Sequence, residues 1–145
     1  METLVYMALF SVIMGGAMMA TYNLIEGGNR NILAIGVEGE GTFLNRKINW
    51  ALTGASSASV SPDSTTLTIV RPDLGAQSPL VISGNGTGIT IKRGVGAAVG
   101  LTNDRFVISN TRFVIQPGIA GRPPSITSSF DVQTKTFMFR TYIRE

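Results

Sequence analysis

From Leu4 to Ala20 the chain carries one clearly polar residue, Ser11, and no charge separates Glu2 from Glu26. As a helix rising about 1.5 Å per residue, this run extends roughly 26 Å, close to the ~30 Å of a bilayer core. Helix-compatible order continues beyond it. The segment "TYNLIEGGNRNILAIGVEGEGTFLNRKINWALTGASS" has no proline, and Leu44, Ile48 and Leu52 recur every four residues, with Ala51 beside them and Phe43 on the flank. That spacing predicts one buried face on a helix, with Phe43, Leu44, Ile48 and Leu52 packing on the rest of the fold. The opposite face offers Thr42, Arg46, Asn49 and Thr53, and Gly54 with the small residues after it stops the helix. The expectation is a single helix of about fifty residues, against an average near 11–12. It is apolar all round over 1–25 and amphipathic over 26–54.

The middle of this helix is rich in glycine: Gly27, Gly28, Gly36, Gly39 and Gly41. Each costs about 1 kcal/mol relative to alanine in a helix interior. The segment is therefore expected either to bend and flex or to pack closely against neighbouring helices.

From residue 60 the pattern changes to alternation broken by turns. "STTLTIV", "PLVIS", "GITIK", "DRFVIS", "RFVI", "SITSSFDV" and "TFMFRTYI" read as strands. Asn85-Gly86 suits a type I′ hairpin turn, "TND" marks a second turn, and "QTK" joins the last antiparallel pair. "QPGIAGRPP" is an irregular loop broken by Pro117, Pro123 and Pro124. The class is α+β: a long N-terminal helix packed on an antiparallel β-sheet head that spans 55–145.

Composition narrows the chemistry. The 145 residues suit one domain, and they include neither cysteine nor histidine. There is thus no disulfide, no thiolate metal site, and neither the commonest general base nor the commonest metal ligand. Asp63, Asp73, Asp104 and Asp131 fall in or beside turns, where aspartate bonds locally, and nothing in the pattern pairs them. No catalysis, cofactor or metal is expected. "GNGTG" and "GVGAAVG" lack the strand-to-helix context and the lysine of phosphate-binding loops, and read as turns or a flat glycine-rich strand.

Asn85-Gly86-Thr87 fits a glycosylation sequon, and the serines from Ser56 to Ser64 could carry O-linked sugar; a hairpin turn and a polar linker are the plainer readings. The net charge of +3 comes from a slight excess of basic residues. Arg105, Arg112, Arg122, Arg140 and Arg144 would bind nucleic acid only if gathered on one surface.

The N-terminal run does not follow the secretory-signal pattern. Gly15-x-Ala17 could serve as a cleavage site, but the leading residue is the acidic Glu2 and no Lys or Arg precedes the run. A membrane anchor, or a helix buried in an assembly, remains. Gly15, Gly16 and Ala20 form a small-residue patch, and Gly16-x-x-x-Ala20 has the spacing that allows close helix approach in an apolar medium. A carboxylate at the edge of such a run is costly unless it is paired.

"ETLVYMALFSVIMGG" resembles the N-terminal helix of the type IV pilin and pseudopilin family: a glutamate followed by an unbroken apolar run. The layout of the whole chain, a very long helix whose second half lies under an antiparallel sheet, is similar to that family as well. The resemblance implies a structural subunit, held in the cytoplasmic membrane and then passed by the pilus assembly machinery into an extracellular homo-oligomeric helical filament. Such type IV pilus filaments serve adhesion, motility, secretion or DNA uptake. It also implies that Glu2 sets subunit register by meeting the N-terminal amine of a neighbour, and that Leu4, Leu9, Phe10, Ile13, Gly15, Gly16 and Ala20 pack in the filament core. The family has several residues, usually beginning with phenylalanine, before this glutamate. Here Met1 alone precedes it, so the given chain is expected to be incomplete at its start. The family's helix-kinking proline is absent, and glycines 15, 16, 27 and 28 stand where local melting could replace it.

Overall fold

A computed structural model describes residues 2–119 and 123–143. Arg122 and Arg144 lie outside the described residues. The chain divides into two compact units, Met1–Gly36 and Val37–Glu145.

The fold is α+β, as the pattern predicts. Helix α1 runs without interruption over Glu2–Leu52. The glycine-rich middle does not interrupt the helix. One of those glycines has a visible reason: a Cβ at Gly41 would come within 2.5–2.8 Å of the Phe137 ring. Only a residue without a side chain lets the helix lie this close to that phenylalanine.

Among the described residues eight strands follow: β1 Ser57–Val60, β2 Thr66–Val70, β3 Leu80–Gly84, β4 Ile89–Arg93, β5 Ala98–Gly100, β6 Ile108–Gln116, β7 Ser125–Val132 and β8 Lys135–Tyr142. They form two antiparallel sheets in simple sequential order, β1-β2-β3-β4-β5 and β6-β7-β8. The Phe113 N–H donates to the Ser64 carbonyl at 2.7 Å, and the Ile108 N–H to the Thr87 carbonyl at 3.0 Å, tying β6 and its approach to the first sheet.

One apolar core joins the end of α1 to both sheets. Leu44, Ile48, Ala51 and Leu52 meet Leu67, Ile69, Leu80, Ile82 and Ile89 of the first sheet and Phe113, Ile126 and Phe130 of the second. Phe130, Phe137 and Phe139 stack with ring centroids 6.0–6.1 Å apart.

Several sequence expectations change. "SASV", read as part of a polar tail after the helix, is β1, because its alternating Ala58 and Val60 lie against the core and β2 supplies its ladder. Only Ile108 and Ser109 of "DRFVIS" are strand, and they join "RFVI" in one strand, β6, whose register shifts between Ser109 and Arg112, with Asn110 at φ 52°. The β3–β4 connection is a hairpin, but its loop is Asn85–Gly88, and of the Asn85-Gly86 pair Gly86 alone has positive φ, so it is not the two-residue type I′ turn. "GVGAAVG" supplies a turn and the short edge strand β5.

Candidate functional site

The most unusual surface lies on the first stretch of α1. Every residue from Glu2 to Ile35 is exposed in the isolated chain. Leu4, Leu9, Phe10 and Ile13 stand 59–69% exposed, and a side chain added at Gly15 or Gly16 would meet nothing within 4 Å. Ala20 is exposed on the same stretch. The structure places all the residues expected in a filament core on one continuous helix. They do not share one face: at about 100° per residue Leu9 and Ile13 lie together, Leu4 points to nearly the opposite side, and Phe10 lies on a flank. A helix that is apolar all round is stable only when buried in protein or in lipid. This one is long and apolar enough to cross a membrane. Burying each large side chain is worth about 1.5–3 kcal/mol, so the stretch carries a strong drive toward an apolar environment.

Two of its hydroxyls are bonded within the helix. Ser11 Oγ donates to the Met7 carbonyl at 2.8 Å, and Thr21 Oγ1 to the Ala17 carbonyl at 2.9 Å. Both hydroxyl protons are thus used within the helix. Past Ile25 the first charges form an ion pair one turn apart, Arg30 Nη2 to Glu26 Oε1 at 2.5 Å. Glu2 sits in the first helical turn, where the helix dipole favours a carboxylate, and no cation pairs with it among the described residues.

The second stretch of α1 behaves differently. Leu44, Ile48 and Leu52 are buried to 1% exposure or less. Phe43, expected with them, is 40% exposed, and the Lys47 ammonium lies 5.5 Å from its ring centroid. The reason is angular: at about 100° per residue Phe43 lies roughly 130° round the helix from the middle of the buried stripe. Lys135 Nζ pairs with Glu38 across to β8.

The end of the helix is held by a residue that the sequence reading did not single out. Arg71 Nη1 donates to the Trp50 carbonyl at 2.9 Å, while Nε and Nη2 donate to the two Asp73 carboxylate oxygens at 3.0 and 2.5 Å. The guanidinium also lies 5.1 Å from the Trp50 ring centroid, and Arg93 lies 5.9 Å from the same ring. A cation on a last-turn carbonyl complements the helix dipole. Arg71 donation holds the Asp73 carboxyl below its ordinary range, and Asp73 in turn raises Arg71. Hydroxyls of Ser61 and Thr65 lower Asp63, and the Asn110 amide followed by Thr136 lowers Asp131. These three carboxylates are turn and strand fasteners.

No family model, curated protein or solved structure matches the chain.

Asn85, the sequon residue, is exposed at the β3–β4 loop, where its Oδ1 accepts from the Thr87 N–H at 3.1 Å and the Gly88 N–H at 2.6 Å. Ser61 and Ser64, from the serine-rich stretch, belong to the turn between β1 and β2, where the Ser64 N–H donates to the Ser61 carbonyl. Arg105, Arg112 and Arg140 are exposed but lie on different segments: before β6, within β6 and within β8.

Proposed function

We propose that this chain is a pilin-like structural subunit. It is held in the membrane by the first stretch of α1 and polymerises through that same stretch into an extracellular filament. The observation that carries the reading is the contrast within one unbroken helix. Glu2–Ile35 leaves every apolar side chain exposed, with the Ser11 and Thr21 hydroxyls bonded within the helix, while Leu44–Leu52 completes the core of a folded β-rich unit. A helix with these properties exchanges one apolar environment, lipid, for another, the packed helices of neighbouring copies. The small residues Gly15, Gly16 and Ala20 let two such helices approach closely. Glu2 fixes axial register by meeting a cation on a neighbouring copy, because a charge pair in a low dielectric offsets desolvation that either charge alone would suffer.

The test is Glu2→Ala. Membrane insertion should be unchanged, and filaments in sheared surface fractions should be lost or slow to form. Normal filaments from the variant would remove Glu2 from the mechanism. A wild-type chain that stays a detergent-soluble monomer, with no repeating density under the electron microscope, would replace the filament with a membrane-tethered binding domain.

A further inference from the structure

The two sheets have four edges: β1 and β5 in one, β6 and β8 in the other. Open edges invite pairing with other chains, and proteins guard them by keeping edge strands short or bulged. Three of the four edges here are guarded in this way. β1 has four residues and β5 three, and β6 carries a register shift between Ser109 and Arg112. β8 is the exception. It is eight residues long, pairs with β7 in unbroken register from Lys135 to Tyr142 and contains no proline, and among the described residues no strand lies beyond it.

The hydrogen-bonding groups on that edge can be assigned. The Ile143 N–H donates to the Pro124 carbonyl at 2.9 Å, just past the end of the β7–β8 ladder. Alternation then turns the N–H and C=O groups of Tyr142, Arg140, Met138 and Thr136 away from β7. Beside this edge lies an open groove of about 400 Å³, lined on its other side by Asn45 and Asn49 of α1 and by Thr53 just past the helix end. Asn45 and Asn49 lie one turn apart on one face of the helix, and among the described residues their side-chain amides make no hydrogen bond. Arg140 lines the same groove and has no acidic partner among the described residues.

We infer that this groove takes an extended polypeptide segment of a partner protein, added as a further strand to β8 and bearing an acidic side chain for Arg140. Backbone pairing with β8 supplies sequence-tolerant affinity, as in other recognition by strand addition. The added strand, about 4.8 Å from β8, turns its own outer backbone groups toward the helix. The Asn45 and Asn49 amides, which can both donate and accept, satisfy those groups. The groove therefore provides partners for both edges of the guest strand, and the arginine selects among segments by charge.

The probe is a phage-displayed heptapeptide library panned against the full chain in detergent micelles, followed by synthesis of the enriched peptides. Enriched peptides should carry an acidic residue at a fixed position and slow hydrogen exchange at the Met138 and Arg140 amides, leaving the β7-bonded amides of Phe137 and Phe139 unchanged. Met138→Pro removes an outward N–H that β7 does not use, and should weaken binding by about tenfold or more. Arg140→Gln should weaken an acidic peptide about threefold, the scale of an exposed ion pair. Asn49→Arg fills the groove from an exposed helix position and should abolish binding; it carries the test if the proline variant does not fold. The inference fails if no peptide is enriched, or if Asn49→Arg binds the peptides as tightly as the parent chain. It also fails if the Met138 and Arg140 amides are already protected in the free protein by pairing with a second copy.

Discussion

The two stretches of α1 are built from the same backbone and meet their surroundings in opposite ways. Glu2–Gly36 is apolar around its circumference up to Ile25 and buries none of it, whereas Val37–Leu52 is mixed in polarity and buries one stripe completely. A stripe forms where a partner lies on one side only, because polar residues are then free to face water. Where apolar residues run all round, no side was kept for water, and the environment that stabilises the helix has to enclose it. The apolar pattern thus records the surroundings each stretch is made for, and the difference can be probed residue by residue.

The sharpest break compares the same substitution in both stretches. Ile48→Asp places a carboxylate in a site with 1% exposure and should unfold the Val37–Glu145 unit, a loss above about 4 kcal/mol. Ile13→Asp, at 62% exposure, should leave the thermal unfolding of that unit unchanged. It should instead weaken partition into vesicles by about 2.5–3.5 kcal/mol. Equal effects of the two substitutions on unfolding would erase the distinction.

A smaller effect with a change of sign is expected at the glycines. Gly41→Ala drives a methyl into the Phe137 ring and should destabilise the β-rich unit by about 1–3 kcal/mol in denaturant titration, with Phe137→Leu restoring part of the loss. Gly28→Ala meets nothing within 4 Å and should raise helicity, a gain of up to about 1 kcal/mol seen by circular dichroism in detergent. A loss of helicity in that variant would mean that Gly28 is kept for a backbone conformation other than helix.

The smallest effect concerns pH and belongs to the β-rich unit alone. Asp63, Asp73 and Asp131 all have their carboxyl pKa lowered from the ordinary 3.8 by hydrogen-bond donors that favour the charged form. A group lowered on folding stabilises above its unfolded pKa, and that contribution fades as pH falls through the folded value. The melting temperature of this unit should thus be flat above about pH 5 and decline below it. Asp73→Asn, which also frees Arg71 from its carboxylate, should make the decline shallower; an unchanged acid limb would remove Asp73 as a fastener.

Much of this fold is legible from local pattern. The four-residue recurrence of Leu44, Ile48 and Leu52 marks the buried stripe, and alternation in "SITSSFDV" and "TFMFRTYI" marks β7 and β8. What escapes the eye is decided by partners distant in sequence. "SASV" is strand only because β2 pairs with it, and small polar residues by themselves resemble a linker. Phe43 looks like core by its hydrophobicity, yet its position round the helix points it about 130° away from the buried stripe. Arg71 gives no local sign of its task, because the carbonyl it caps belongs to Trp50, twenty-one positions earlier. Of the candidate site, the apolar stretch and Glu2 are evident in the sequence, whereas the groove along β8 depends on which strand ends at an edge and on the helix face lying beside it.

The internal bonds of Ser11 and Thr21 bear on kinetics as well as on stability. Because each hydroxyl keeps its proton on a carbonyl of its own helix, moving the stretch between two apolar surroundings requires no hydrogen bond to be surrendered to one and rebuilt in the other. Contacts are exchanged like for like, methyl for methyl. For a helix that leaves lipid for the packed helices of neighbouring copies, as proposed above, these two hydroxyls add nothing to the barrier.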